Sequence, residues 1–253
     1  MTSRRSKQFF YGIFYLAILA VIIYGVYLIY KPAPSCFDNI QNEGETGVDC
    51  GGPCAPCTSN LAPLQVVGQV KVLPVDSDHV SLLAQVQNSN QNFGVSSFDY
   101  QFFVYDQNNN LMASSSGNSY IYPGQSKYVA APLVAISNIG NIGRASLDIG
   151  NYSWQTADNF RIFPSQVQNQ QISTTTYGIR VSGYLYNGSG LTIPSAEILA
   201  VFYGQSGLIA GVSKTQTDSI ASLQSYAFTI SHPLISDFNP QAAQIFVYIP
   251  PSK

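Results

Sequence analysis

The chain has 253 residues, only 9% of them charged, with 11 Lys+Arg against 13 Asp+Glu. Globular domains usually carry about 25% charged residues, so the polar surface here must be built from Asn, Gln, Ser, Thr and Tyr. Four of the basic residues fall in 1–31 and no acid does. Residues 32–253 therefore hold seven bases and thirteen acids, a net of −6, which excludes a basic footprint for nucleic acid.

The first predicted element is a membrane span over Phe9–Tyr30 (FFYGIFYLAILAVIIYGVYLIY). It is 22 residues long and uncharged. At about 1.5 Å per residue it reaches roughly 33 Å, enough to cross a hydrocarbon core of about 30 Å. Arg4, Arg5 and Lys7 precede it and only Lys31 follows closely. The positive-inside bias then predicts residues 1–8 in the cytoplasm and 32–253 outside. Tyr11, Tyr15, Tyr24, Tyr27 and Tyr30 lie toward the ends of the span, where amphipathic rings favour the interface. A cleaved signal peptide would have an apolar region of about 7–15 residues and a small-residue cleavage site. This segment is longer, rich in aromatics, and runs into Lys31-Pro-Ala-Pro34. Ala33-Pro-Ser35 also lacks the aliphatic residue of a lipid-attachment signal at Cys36. An uncleaved anchor is expected, with the lipid bilayer as its partner.

Residues 31–63 form a cysteine-rich juxtamembrane module and linker. All four cysteines, Cys36, Cys50, Cys54 and Cys57, lie within 22 residues. An even count just outside a membrane predicts two disulfides, with three connectivities open. So short a segment has no core of its own and needs covalent staples. Zinc is the weaker alternative: Cys54-x-x-Cys57 has the spacing of a zinc knuckle, but there is no second close pair. Calcium is the candidate cofactor, because Asp38, Asn42, Glu45 and Asp49 supply hard oxygen ligands in a glycine-containing loop. The plainer reading makes them turn formers, with Asn42 and Asp49 closing Asx-turns. The pattern C-x-D-x-I-x-N-x-x-E-T-G-V-D-C-G-G-x-C-x-x-C resembles a short cysteine module of secreted and cell-surface proteins, with Asn39 where the usual form has Gly. The resemblance implies surface location and disulfides, and no activity. Ser59–Pro63 is read as the linker.

The rest of the chain repeats with a period of about 99 residues. Ile121–Ser126 (IYPGQS) aligns with Ile220–Ser225 (IASLQS), and Asn88 with Asn187. Tyr105 aligns with Tyr203, and Ala145–Ile149 with Ala243–Val247, at an offset of 98. Two copies make a tandem pair and not a solenoid. Within each copy the period is two. Leu82, Ala84 and Val86 alternate with Ser81, Leu83, Gln85 and Gln87; Ile179, Val181, Gly183 and Leu185 with Arg180, Ser182, Tyr184 and Tyr186; Ile245, Val247 and Ile249 with Phe246 and Tyr248. This predicts strands with one face in a core. Turn clusters at Asn88–Asn92, Gln107–Asn110, Tyr122–Gly124, Asn187–Gly190 and Gly204–Gly207 punctuate them. The expected fold is all-β: two β-sandwiches, 64–165 and 166–253, behind one transmembrane helix.

Phe102–Asp106 (FFVYD), followed by an Asn-rich turn and Ile121-x-Pro-Gly124, resembles the signature of the FxLYD-type domain, with Val104 in the Leu position. The second copy keeps Tyr203 but has Ala200 and Gly204 where the first has Phe102 and Asp106. The resemblance implies an immunoglobulin-like sandwich of prokaryotic envelope proteins and brings no catalytic residue. Tyr105 and Tyr203 are expected at strand ends, with rings in or near the core and hydroxyls paired. Trp154, the single tryptophan, is expected at the junction of the domains.

Catalytic constellations are not legible. His79 and His232 fall in separate copies and at different offsets, and Asp76 and Asp78 share a short polar turn. No G-x-S-x-G elbow or phosphate-binding glycine motif occurs. Asn151-Tyr-Ser153 and Asn187-Gly-Ser189 fit the N-glycosylation pattern and are candidate sites. The expected function is non-enzymatic: an envelope interaction or scaffolding protein with a protein or glycan partner outside the membrane. An accessory subunit of a secretion or pilus complex, and a cell-wall or glycan hydrolase, are the alternatives.

Overall fold

The computed structural model describes residues 4–30, 35–42, 44–58, 61–235, 238–239 and 242–251. Lys31, Pro32, Pro34 and part of the predicted linker lie outside them. Residues 1–61 form one compact unit and Ala62–Lys253 another.

In the first unit, α1 (Arg4–Tyr30) is a single helix. Its window Gln8–Leu28 is long and apolar enough to cross a membrane, and none of it is buried by protein. A helix apolar on every face with nothing packed on it is suited to a lipid environment. Beyond it, two disulfides staple the cysteine module: Cys36 to Cys54, with Cα atoms 5.6 Å apart, and Cys50 to Cys57, at 4.8 Å. The glycines between them are steric necessities. Gly52 has φ +58°, and a Cβ there would strike the Gly44 carbonyl.

Among the described residues the second unit holds thirteen strands. The first copy comprises β1 (Gln65–Pro74), β2 (His79–Gln87), β3 (Phe93–Asp106), β4 (Leu111–Ile121), β5 (Ser126–Ala135), β6 (Ile142–Tyr152) and the short β7 (Gln155–Thr156). The second comprises β8 (Ser165–Thr175), β9 (Gly178–Asn187), β10 (Glu197–Tyr203), β11 (Ile209–Gln216), β12 (Ser225–His232) and β13 (Gln244–Tyr248). All pairings are antiparallel. Sheet β1-β2-β5 faces sheet β4-β3-β6 across a core that includes Leu82, Ala84, Val86, Phe98, Phe102 and Val104. Sheet β8-β9-β12 faces β11-β10-β13 across Ile179, Val181, Leu185, Ile198, Ala200 and Phe202. These are the alternate positions of the sequence pattern, so the period-two reading holds on the core faces.

The repeat extends to irregularities. Edge strands β1 and β8 each carry a bulge, with Gly68 at φ +71° and Asn169 at φ +51°. A bulge twists an open edge away from strand addition, which matters on strands with so little charge. The tight turns repeat too. Gly124 has φ +64° and Leu223, its equivalent, φ +58°. Leu223 is exposed and in a conformation that costs a β-carbon about 1–2 kcal/mol. We expect Leu223→Gly to stabilise the unit by about 0.5–1 kcal/mol, less than the relieved strain because glycine also gains freedom when unfolded. Urea denaturation of both proteins measures it; a destabilised variant contradicts it.

One expectation fails in an informative way. The strands were expected to bury one face, yet β2 and β10 are buried on both. A third apolar cluster joins Leu73, Leu83 and Ala130, from β1, β2 and β5, to Leu199, Val201, Val212 and Tyr248, from β10, β11 and β13. The two sandwiches thus stack through the outer faces of these sheets and form one compact unit. Trp154 is not in this junction. It packs on the first core, edge-on to Tyr152 at 5.4 Å.

The stacking is asymmetric, since sheet β1-β2-β5 of the first copy meets sheet β11-β10-β13 of the second. The sheets at equivalent positions stay free, and their outer faces differ in kind. Leu83 of the junction corresponds to Ser182, and Leu199 to Gln101. At these two positions the side chain is apolar where the face is covered and polar where it is open, as capping of a two-unit stack requires.

Candidate binding face

The free outer face of sheet β4-β3-β6 is the most distinctive surface of the unit. Alternation on β3 places Phe98, Tyr100, Phe102 and Val104 inward and Asp99, Gln101, Phe103 and Tyr105 outward. Register sets Ser116 and Asp148 beside Gln101, and Ser114 and Ser146 beside Phe103. Gly150, beside Asp99, contributes no side chain to this face, and a depression of about 460 Å³ opens among Asp99, Gln101, Ser116 and Asp148. Asn118 donates to the carboxylate of Asp99 at 2.9 Å and to Ser97 Oγ at 2.8 Å, fixing that rim. At the other end the Arg144 guanidinium lies 3.8 Å over the Tyr105 ring and donates through Nε to Asn109 Oδ1 at 3.0 Å. Tyr105 therefore lies on the outer face and not in the core as expected. Tyr203, its counterpart, packs on the junction, and its hydroxyl donates to Gln244 Oε1 at 3.0 Å.

In the cysteine module the acids bind backbone amides. The Asp49 carboxylate accepts from the Asp38 and Asn39 N–H groups at 2.9 Å each. Asp38 accepts from the Ile40 N–H and from Asn42 Nδ2, both at 2.9 Å. Its carboxyl is held below the ordinary range chiefly by Asn42. Glu45, 7% exposed, accepts from the Asn42 and Asp49 N–H groups. Amide hydrogens converging on a carboxylate present positive charge where a cation would sit, so the candidate set Asp38, Asn42, Glu45 and Asp49 is a turn framework and not a calcium cage. Asp38, not Asn42 or Asp49, closes an Asx-turn. Among the described residues one three-donor cluster forms, Cys36, Glu45 and Cys54. Its two sulfurs are joined to each other, which leaves no thiolate for zinc or another metal.

The two sequons part ways. Asn151 is exposed on β6. Asn187 is fully buried, and its Nδ2 donates to the Leu191, Ile220 and Ala221 carbonyls at 2.7, 3.0 and 3.1 Å. That nitrogen is not free to carry a glycan, so Asn187 is not a glycosylation site, contrary to the expectation from its sequon. Asn88 does the same work in the first copy, donating to the Phe93 and Tyr122 carbonyls. The repeat landmark is a buried loop staple.

The histidines stay apart. His79 Nδ1 lies 2.9 Å from Asp76 Oδ1 in an exposed turn, and Asp76 is held below its ordinary value first by the Asp78 N–H and then by His79. His232 is 4% exposed; its Nδ1 is 2.7 Å from the Pro233 carbonyl and its Nε2 has no partner. The Pro233 oxygen requires a donor, so Nδ1 carries the proton and Nε2 is a bare lone pair against Phe202. Burial lowers the pKa below its usual 6.5. In acid the unfolded chain takes a proton that the folded chain refuses, so stability falls as pH drops below about 6.5. Melting temperatures at pH 7 and pH 5 should diverge less in His232→Phe than in the parent; an equal divergence refutes this.

A buried cation is the feature that the sequence did not reveal. Lys127 on β5 is 2% exposed. Its Nζ sits 3.5 Å from the Tyr120 ring centre and 4.7 Å from that of Tyr248 on β13. The Tyr248 hydroxyl accepts from the Tyr128 N–H at 3.0 Å, tying the last strand to the first sandwich. Burial pushes Lys127 down to about 7, opposed by Glu197 and reinforced by Lys214.

No family model and no curated protein matches the chain. Among solved structures, red sea bream transglutaminase aligns with 77% of this chain and 32% of its own at 10% identity and a TM-score of 0.25. The chain thus spans about a third of that protein's length, and so slight a likeness carries no argument about activity.

Proposed function

We propose that the protein is a membrane-anchored, non-catalytic interaction or scaffolding protein of a prokaryotic cell envelope. In this reading α1 is the anchor, the N-terminus is cytoplasmic, and the cysteine module and sandwich pair lie outside. The observation that carries it is the pairing of an unburied 21-residue apolar window with two disulfides just beyond the helix. The resemblances to the surface-protein cysteine module and to FxLYD-type domains support the same compartment. The non-catalytic part rests on the distribution of titratable groups. Among the described residues, His79–Asp76 is a half-exposed turn pair and His232 is sealed in the second sandwich. The Asp76–His79 turn, with Ser77 and Asp78, is open to solvent, and His232 is closed off from it, so neither histidine lies in an enclosed cleft of the kind that acid–base catalysis uses.

Labelling of intact cells with a membrane-impermeant maleimide tests the topology. We expect Cys36, Cys50, Cys54 and Cys57 to label only after reduction. Thiols that react only in broken cells, without reduction, would reverse the orientation and end the envelope reading.

A further inference from the structure

Three features could do more than hold the fold: the caged Lys127, the sealed His232, and the open face of sheet β4-β3-β6. The first two are enclosed by protein, while the third is open and polar. Among the described residues, the side chains of Gln101, Ser116 and Asp148 make no hydrogen bond or ion pair with protein, and all three border the depression of about 460 Å³. That size lies within the range of small-molecule sites.

The chemistry of the face selects its occupant. A protein partner is held by an apolar centre from which charge is depleted. Here the centre carries two carboxylates, Asp99 and Asp148, with an amide and serine hydroxyls. The second copy shows what this sheet becomes when another protein surface covers it: Leu199 stands where the free face has Gln101. An anionic ligand would meet Asp99 and Asp148 first and be repelled. A neutral polyol fits both halves of the face. Carboxylate and amide side chains accept pairs of neighbouring hydroxyls, and an aromatic ring takes the apolar C–H side of a sugar. Phe103 lies 6.3 Å from Tyr105, with ring planes 31° apart, so two rings continue the line of Asp99 and Gln101 along β3. Arg144 over Tyr105 and Asn118 on Asp99 hold both ends in place without a ligand, which reduces the ordering cost of binding.

We propose that the outer face of sheet β4-β3-β6 binds a neutral, chain-form oligosaccharide, with Asp99, Gln101 and Asp148 holding hydroxyls and Phe103 stacking on a sugar ring, beside a Tyr105 ring that Arg144 already covers. This rests on the envelope reading above, because such chains lie outside the membrane.

The test uses the full chain in lipid nanodiscs, titrated by calorimetry with hexamers of β1,4-glucose, α1,4-glucose and β1,4-N-acetylglucosamine. At least one hexamer should bind. Phe103→Ala and Asp148→Asn should each weaken it about tenfold, the size of one lost contact of about 1.4 kcal/mol. Tyr184→Ala, on the outer face of β9, should leave it unchanged. Melting curves matching the parent's establish that the variants are folded. If none of the three hexamers binds, or if binding survives both face substitutions, the proposal is overturned. Maleimide labelling separates the two failures: an external body without sugar binding removes only the glycan inference, and an internal body removes the envelope reading.

Discussion

Asn187→Ala is expected to destabilise the Ala62–Lys253 unit by about 3 kcal/mol or more. The two amide hydrogens, shared among the Leu191, Ile220 and Ala221 carbonyls, are lost at once, and Ser189 loses the Oδ1 that its N–H and hydroxyl donate to, at 3.0 and 2.6 Å. A buried polar group left unpaired costs about 1–3 kcal/mol, and alanine is too small to fill the space. Some of the loss is recovered, because the Ile220 carbonyl also accepts from the Ile193 N–H. Asn187→Asp is the sharper probe. It keeps the shape but turns a carboxylate oxygen toward three carbonyl oxygens, and should be worse than alanine at pH 7. Asn88→Ala should cost less, about 2 kcal/mol, since its Nδ2 leaves two carbonyls without a side-chain donor where Asn187 leaves three sharing one amide. Urea unfolding with an unchanged slope measures all three. If Asn187→Ala lies within about 1 kcal/mol of the parent, the staple is not what holds these loops.

That asparagine also marks how far the sequence could be read. Its repetition at position 88 was visible, but a repeated Asn flanked by Gly and Ser reads equally as a turn former or a sequon, and only burial separates them. The core faces were legible because each strand has alternation to betray it. The junction was partly legible. Ser81–Ala84 (SLLA) and Ile198–Phe202 (ILAVF) are near-continuous apolar runs, the mark of strands covered on both sides, whereas one-faced strands alternate cleanly. The acids of the cysteine module could not be resolved, because a carboxylate spaced to meet a cation is spaced equally well to meet backbone amides. Aromatic residues favour cores, but the parity of Tyr105 on β3 follows Phe103 and not Phe102, and parity decides the face. The binding face left a trace in the comparison of copies: Gln101 against Leu199 is a polar residue at a position that is apolar in the other copy.

Lys127 left no trace, and its consequence is the largest expected response of the unit to pH. The ordinary lysine value is 10.5 and burial brings it to about 7 in the folded chain. Below pH 7 both states carry the proton and the cost of burying the charge is present in full. Between 7 and 10.5 the unfolded chain holds a proton that the folded chain has released, so stability rises with pH. One proton gives at most about 1.4 kcal/mol per pH unit. The buried hydroxyls of Tyr120 and Tyr248 are pushed upward, so they oppose the rise only where an unfolded tyrosine ionises, near its ordinary value of 10. The rise should therefore be read between pH 7 and pH 9, above the range in which His232 responds. Tyr120 on β4, Tyr248 on β13, Glu197 on β10 and Lys214 on β11 surround the ammonium, and Glu197 and the two rings recover part of its lost hydration. A slope of about 1 kcal/mol per unit is expected from that balance. Lys127→Met keeps the length and apolar stem without the charge. At pH 6.5 it should be more stable than the parent by about 1–3 kcal/mol, as when other buried charges give way to apolar residues. It should also lose the slope, and the parent and variant should converge toward pH 9. A flat profile in the parent between pH 7 and 9 would show that the two rings hold the charge without loss. Lys127→Met should then destabilise the junction, because Tyr120 and Tyr248 would have been arranged around a cation that is no longer there.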